Sequence, residues 1–227
     1  MIYVVSFKNE HLNYNLPPGY KNIRVGEIFN NPEKDNINYM NPYINELTAL
    51  YYIWKNINDD YIGMVSYRRF LRDNNTDDII DFNICKSYLN IFNIICTAFY
   101  FSERFNLIDF LRMDFKRCNI NVNILDKYYN KLIQVEPKLE EYFNTNYSFN
   151  GKHMFVANKR LIDKYCEWLF PIIIPLTEEF IKEDSSNLKG DDLRILAYLF
   201  ERLLSFWLQE NRLSILGLNV AEYKKWF

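Results

Sequence analysis

The chain opens on IYVVSF, residues 2–7, a short apolar and β-branched run that predicts a buried strand at the very start. A polar stretch follows and carries the turn signal Pro17-Pro18-Gly19. From Asn41 the period changes, and Ile44, Leu47, Leu50, Tyr51 and Trp54 recur at helical spacing, with Asn41 before Pro42 as the expected N-cap and first turn. The polar turn NINDD then leads into YIGMVSY, apolar throughout with Gly63 inside, which predicts a central strand over residues 61–66.

Residues 78–90 read as helix, and NIICTAFYF, residues 93–101, as a second continuous buried strand. Helical periodicity runs from Phe105 to Phe143 with a break near Pro137. KHMFVANK is a short strand candidate, and residues 160–183 form a helix that Pro171 and Pro175 are expected to kink or interrupt. Residues 191–211 predict one long amphipathic helix with Asp191 and Asp192 in its first turn. Strands alternating with helices define an α/β class with a helix-rich C-terminal half. No repeat or low-complexity linker divides the 227 residues, so a single domain over 1–227 is expected.

Composition narrows the picture. At 49% hydrophobic the chain can close a sizeable core, and 27 basic against 29 acidic residues leave a net charge of -2. That balance argues against a general nucleic-acid or anionic-membrane binder, so any anion site must be local. Cys85, Cys96, Cys118 and Cys166 form no C-x-x-C pair and the histidines are only His11 and His153, which speaks against structural zinc and for reduced, buried thiols. The N-terminus lacks a basic leader region, and no segment approaches the roughly 18 apolar residues of a spanning helix. A cytoplasmic protein is expected.

Candidate chemistry begins where the strand at residues 61–66 ends. Tyr67, Arg68 and Arg69 leave it at its carboxyl end, where open α/β sheets bind ligands, and guanidinium forks suit the oxygens of a diphosphate. Pairing of the doublet with Asp59, Asp60 or Asp73 at the rim of the sheet is an equally open reading. Asn45 and Glu46 begin the preceding helix, where Glu46 could cap it, reach a sugar hydroxyl or meet an arginine of the doublet. Tyr51 and Trp54 read as core. Asn150 and His153 stand at the start of a strand, the histidine either contacting an acceptor or phosphate or sitting as a partly buried, hydrogen-bonded ring. Arg194 and Glu201, seven apart, share a helix face, and Arg202 is offset by about 100° from Glu201. Such a polar face forms an ion-pair network or lines a site. No serine-histidine triad motif, phosphate-binding glycine loop, Rossmann fingerprint or histidine-rich metal motif is present.

The ordered blocks NPYINELTALYYIWKN, YIGMVSYRRF, HMFVANKRLIDKYCEWLF and RILAYLFERLLSFWL resemble a bacterial capsular-polysaccharide glycosyltransferase family, a domain formerly of unknown function. Its members read approximately N-E-x-T-x-x-Y-x-x-W-K-N, G-x-x-H-Y-R-R, N-M-F-I and R-x-x-G-F-x-x-E-R-L, and the match spans nearly the whole chain. The resemblance implies a GT-A-like mixed sheet flanked by helices and a transferase that moves a sugar from a nucleoside-diphosphate donor, UDP-linked by preference, to a glycan or lipid-linked glycan acceptor in surface polysaccharide synthesis. It points to Asn45, Glu46, Lys55, Tyr67, Arg68 and Arg69 on the donor side, with Trp54 in support. Arg194, Glu201 and Arg202 are implied as part of the site or its support, and His153, read from its own position before the strand, is a further candidate for the acceptor side.

An inverting transfer needs a base, for which Glu201, Asp191 and Asp192 are the candidates. Three positions depart from the pattern: Ser66 replaces His, His153 replaces Asn and Ala197 replaces Gly. Where many enzymes of this architecture carry an Asp-x-Asp metal pair, this strand ends in Tyr-Arg-Arg. No cofactor is therefore expected, the arginines standing in for the dication, with manganese or magnesium as the alternative. No nucleic-acid partner is expected, and membrane contact at most peripheral, at the inner face. Two other readings stay open: a non-catalytic nucleotide-sugar or carbohydrate-binding module, and a membrane-surface scaffold using Arg68, Arg69, Arg72 and the terminal YKKWF.

Overall fold

The computed structural model describes residues 1–7, 16–26 and 34–222; His11 and the terminal YKKWF lie outside them. In chain order the strands of the main sheet are β1 (Ile2–Ser6), β2 (Tyr20–Arg24), β3 (Tyr61–Ser66), β4 (Arg69–Leu71), β5 (Ile94–Thr97), then β8 (Phe155–Asn158), β9 (Ile215–Leu218) and β10 (Val220–Glu222). β1 runs parallel to both β2 and β3, so it lies between them. On its other side β3 pairs antiparallel with β8, β8 antiparallel with β5, and β5 parallel with β9. β4 folds back from Ser66 and carries β10. The result is a mixed sheet flanked by helices, the α/β architecture expected.

The continuous apolar character of β3 follows from burial on both faces. Ile62 and Met64 join the large core under the helices, whereas Val65 joins Ile2, Val4 and Phe82 on the opposite face. Gly63 sits between because a Cβ there would stand 2.6 Å from Cγ1 of Ile2, its neighbour on β1.

Several elements differ from the sequence expectation, each for a local reason. The helix from Asn41 is two pieces, α1 (Asn41–Ile44) and α2 (Leu47–Asn56), because Asn45 adopts φ 46° and ψ −121°. Asn41 is the first residue of α1 rather than its cap, and Met40 at the cap makes no side-chain bond. Residues 78–81 stay outside α3 (Phe82–Tyr88), which Asp81 caps by accepting from the amide of Asn83. The apolar run at 93–101 splits at Ala98, and β6 (Phe99–Phe101) pairs instead with β7 (Ser148–Asn150) in a separate two-stranded sheet. The helical middle holds α4 (Leu107–Arg117), α5 (Val122–Val135) and α6 (Lys138–Thr145), with a break at Asn119, φ 57°, besides the expected one near Pro137.

The strand beginning at KHMF starts only at Phe155, since Lys152 and His153 have φ of 77° and 43°. Helix α7 (Lys159–Glu183) runs unbroken through both prolines. Pro171 and Pro175 lie four apart on its exposed side, where carbonyls freed from the ladder can meet solvent while Ile172, Ile173 and Leu176 stay packed. The last helix is also divided, into a 3₁₀ turn over Gly190–Arg194, α8 (Ile195–Phe200) and α9 (Leu203–Glu210). At the joint the Arg202 side chain donates to the Tyr198 carbonyl, 2.6 Å, while the Arg202 amide turns to Leu199, 3.4 Å. Strands β2, β9 and β10 were not expected. The four cysteines are free, three of them buried. No helix among the described residues is long and apolar enough to cross a membrane.

Candidate functional site

Parallel β1 and β3 end side by side, with Val5 opposite Ser66 in register, and two adjoining cavities open beyond them. The first, about 350 Å³, is bounded by Val5, Phe7, Val25, Pro42 and Tyr67, with Phe7 edge-on to Tyr67 at 5.3 Å. The second, about 200 Å³, is charged: Arg68, Arg69, Lys152 and Arg194 face Glu46 and Glu201 across it. Asn45, Glu46, Arg68 and Arg194 line both. Four cationic side chains and two carboxylates line this wall, in a molecule whose net charge is -2.

The break at Asn45 brings its side chain and that of Glu46 to the cavity wall. Backbone with positive φ outside glycine is strained by roughly 1–3 kcal/mol, and surrounding bonds hold it. The Asn45 amide N–H donates to the Asn41 carbonyl, 3.0 Å, and its carbonyl accepts from Oγ1 of Thr48, 2.8 Å, and from Nδ2 of Asn41, 3.2 Å. With its side-chain amide oriented oxygen toward Arg194, Asn45 accepts from Nε and Nη2, both at 3.0 Å. Thr48, which the sequence did not single out, and Asn41, which it singled out only as a helix cap, are therefore the supports of this bend. The N-E-x-T spacing was the signal that could have revealed Thr48.

Arg68 and Arg69 do not pair with Asp59, Asp60 or Asp73. Asp59 is held by the N-terminal amine, 3.2 Å, and Asp73 accepts from the Asn75 amide. Arg69 approaches Glu222 of β10 at 4.0 Å, while Arg68 is exposed to both cavities and its Cζ lies 5.7 Å from the Tyr67 ring. Ser66 also lines the charged cavity; its buried hydroxyl makes no hydrogen bond among the described residues.

Glu201 sits at the α8–α9 joint. Its Oε1 accepts from the backbone amide of Lys152, whose left-handed conformation presents that N–H, and Oε2 accepts from Nη1 of Arg202, 2.8 Å. Arg202 is buried with its Cζ 4.2 Å over the Phe149 ring; burial lowers its pKa and the Glu201 charge opposes that. It stands behind the carboxylate, outside the cavity. Burial pushes Glu46 above the usual carboxylate range and Glu201 adds to this, whereas its own backbone amide, Arg194 and Arg68 pull the other way. Lys152 is lowered by burial and then by Arg69. His153 lines the charged cavity but is buried, with Nε2 3.1 Å from the Tyr165 hydroxyl, and burial together with Arg202 lowers its pKa to about 3.

The remaining candidates lie elsewhere. Trp54 stacks on Phe170 at 5.4 Å and Lys55 lies 3.6 Å over the Trp54 ring, roughly 12 Å along α2 from its cavity end. Asp191 pairs with Arg194 at 3.6 Å and Asp192 accepts from the Asn121 amide, 2.8 Å; neither lines the cavities. Among the described residues no three His, Cys, Asp or Glu side chains cluster to hold a metal. Lys152 and Tyr198, absent from the sequence-derived set, line the charged cavity.

The mixed α/β fold is shared with a solved glycosyltransferase. The apo structure of the bifunctional glycosyltransferase WbbM superposes with a TM-score of 0.78 at 22% identity, covering 99% of this chain and 45% of that one, so the chain spans less than half the length of WbbM. The chain belongs to the family described as domain of unknown function DUF4422, whose profile matches residues 1–212. Comparison with curated proteins returned no match.

Proposed function

We propose that the chain transfers a sugar from a nucleoside-diphosphate donor, UDP-linked by preference, to a hydroxyl of a glycan acceptor in surface polysaccharide synthesis. The observation that carries this reading is the convergence of Arg68, Arg69, Lys152 and Arg194 on the wall of the second cavity, at the ends of β1 and β3, where their donors suit the oxygens of a sugar-linked diphosphate. The first cavity, framed by Val25, Phe7 and Tyr67, suits a base and ribose. In the transfer the acceptor oxygen bonds to the sugar's anomeric carbon as the carbon–oxygen bond to phosphate breaks. The electron pair leaves on the diphosphate, where Arg68, Arg69 and Arg194 stabilise the added charge without reorganising. Glu201 takes the hydroxyl proton; the donors on its two oxygens fix its direction and leave lone pairs for the acceptor.

One observation favours the non-catalytic alternative. Both oxygens of Glu201 already accept bonds from the protein, as in a purely structural ion pair. Calorimetry with UDP separates binding from its absence: wild type binds, and Arg68→Ala weakens binding by about 1.5–3 kcal/mol for the lost charged hydrogen bonds, with only partial rescue by Arg68→Lys. Equal affinity in wild type and Arg68→Ala would overturn the donor assignment, and UDP binding with no turnover of any sugar donor would favour the binding module.

A further inference from the structure

Beyond Glu201 lies a third cavity, about 350 Å³, that shares Lys152 and Glu201 with the charged one. Its opposite wall is β6, and it closes against Leu218 and Asn219 at the β9–β10 connection. Every residue of β6 is a large aromatic and every one is exposed: Phe99 at 39%, Tyr100 at 52% and Phe101 at 64%. A strand of three solvent-facing rings contributes little to the core and exposes apolar surface that a fold alone does not require.

The geometry points to this cavity as the subsite for an acceptor sugar, a pyranose ring stacked on Tyr100, whose cross-strand neighbour Phe149 shares its face, with one hydroxyl on Glu201. The inference rests on the donor reading of the two neighbouring cavities. Pyranose rings present a face of C–H groups bounded by hydroxyls. They therefore suit a wall that is aromatic on one side and carries a carboxylate, an ammonium and an amide on the other, here Glu201, Lys152 and Asn219. The two sides are joined through packing. Tyr100 lies 5.8 Å from Phe149, the Arg202 guanidinium covers Phe149 at 4.2 Å, and the same guanidinium holds Glu201 at 2.8 Å. The platform therefore sets the sugar's height relative to the carboxylate. Because Glu201 lines both cavities, a hydroxyl bonded to it from the third faces a donor sugar in the second. Its proton passes to Glu201 as its oxygen forms the new glycosidic bond and the diphosphate leaves with the electron pair.

Saturation-transfer NMR on the full chain with UDP present tests this, using octyl glucoside, galactoside, mannoside and N-acetylglucosaminide as probes. The expected result is saturation of the ring protons of at least one glycoside, reduced by about fivefold or more in Tyr100→Ala and retained in Tyr100→Trp, with UDP signals present in all three. Matching circular-dichroism melts would show the exposed substitutions fold alike. Ring saturation that is equal in wild type and Tyr100→Ala would overturn the subsite. So would saturation confined to the octyl chains, or no saturation at all while UDP still binds. If UDP itself fails to bind, the donor reading falls and this inference falls with it.

Discussion

His153 is buried in its neutral form, and that choice couples folding to pH. In the unfolded chain a histidine titrates near 6.5, whereas here burial and the adjacent Arg202 hold it near 3. Between those values the unfolded state binds a proton that the folded state refuses, so stability rises with pH across the window and is undiminished above the unfolded value. At about pH 4.5, two units below the unfolded pKa, the penalty is about 3 kcal/mol, from 1.36 kcal/mol per unit. At pH 3 it would be about 4 kcal/mol, an upper bound because local opening lets water reach the ring.

The substitution that isolates this term is His153→Asn. Asparagine tolerates positive φ better than most residues, and His153 sits at φ 43°. The resemblance noted from sequence also has Asn at this position. The asparagine side chain carries no titratable proton, though it forfeits the contact with the Tyr165 hydroxyl at 3.1 Å and leaves a small void, at a pH-independent cost of about 1–2 kcal/mol. Urea denaturation of both proteins at about pH 7.5 and 4.5 separates the two effects. Carboxylates titrate alike in wild type and variant, so their contribution cancels in the difference. The variant should be the less stable at pH 7.5 and should gain about 2–3 kcal/mol relative to wild type by pH 4.5. Parallel stability curves would mean that His153 is hydrated or protonated in the fold, and the burial argument would be wrong.

Other expectations follow from the same geometry. Glu201→Gln keeps the shape and the Lys152 contact but removes the charge and turns an amide toward the buried Arg202, so turnover should fall by about a hundredfold or more alongside a loss of stability from the weakened pair; lost stability with turnover intact would identify a purely structural ion pair. Thr48→Val removes the hydroxyl that braces Asn45 and should cost about 1 kcal/mol in denaturant titration, with a loss of UDP affinity in calorimetry as the Asn45 bend loosens. Donor binding should persist in excess EDTA because Arg68, Arg69, Arg194 and Lys152 repel a dication from the same wall; abolition by EDTA with recovery on manganese would reverse that assignment.

The elements legible in the sequence were those whose pattern is set by burial alone. β1, β3 and the apolar face of α7 declare themselves because each residue's period matches a single environment. The breaks were not legible, since each is fixed by a partner distant in sequence or by a backbone state that periodicity ignores. Asn45 bends because Arg194, Thr48 and Asn41 converge on it, and α8 ends because Arg202 turns its guanidinium onto Tyr198. β2 was hidden because YKNIR alternates weakly and is ordered by its parallel pairing with β1. Likewise β9 and β10 gain their identity from β5 and β4. The candidate residues divide along the same line. Asn45, Glu46, Arg68, Arg69, Arg194 and Glu201 converge on the cavities, but the sequence could not separate them from Lys55, which lies at the far end of the same helix as a cover for Trp54.

That division bears on how the site is built. Each departure from regular backbone near the cavities delivers a polar group that an unbroken element would have pointed elsewhere. The bend at Asn45 supplies Asn45 and Glu46, the left-handed Lys152 supplies an amide to Glu201, and the α8–α9 joint supplies Glu201 itself. Continuous helices would keep more regular hydrogen bonds at Asn45 and at the α8–α9 joint, and positive φ strains Asn45 and Lys152, so local stability is given up at all three points, the strain at Asn45 alone being worth roughly 1–3 kcal/mol. Such conflicts between local preference and tertiary structure gather at functional sites. Three of them meeting around a single cationic cavity is the physical reason to place the chemistry there rather than at Asp191 and Asp192, which sit on a 3₁₀ turn engaged with Arg194 and the Asn121 amide.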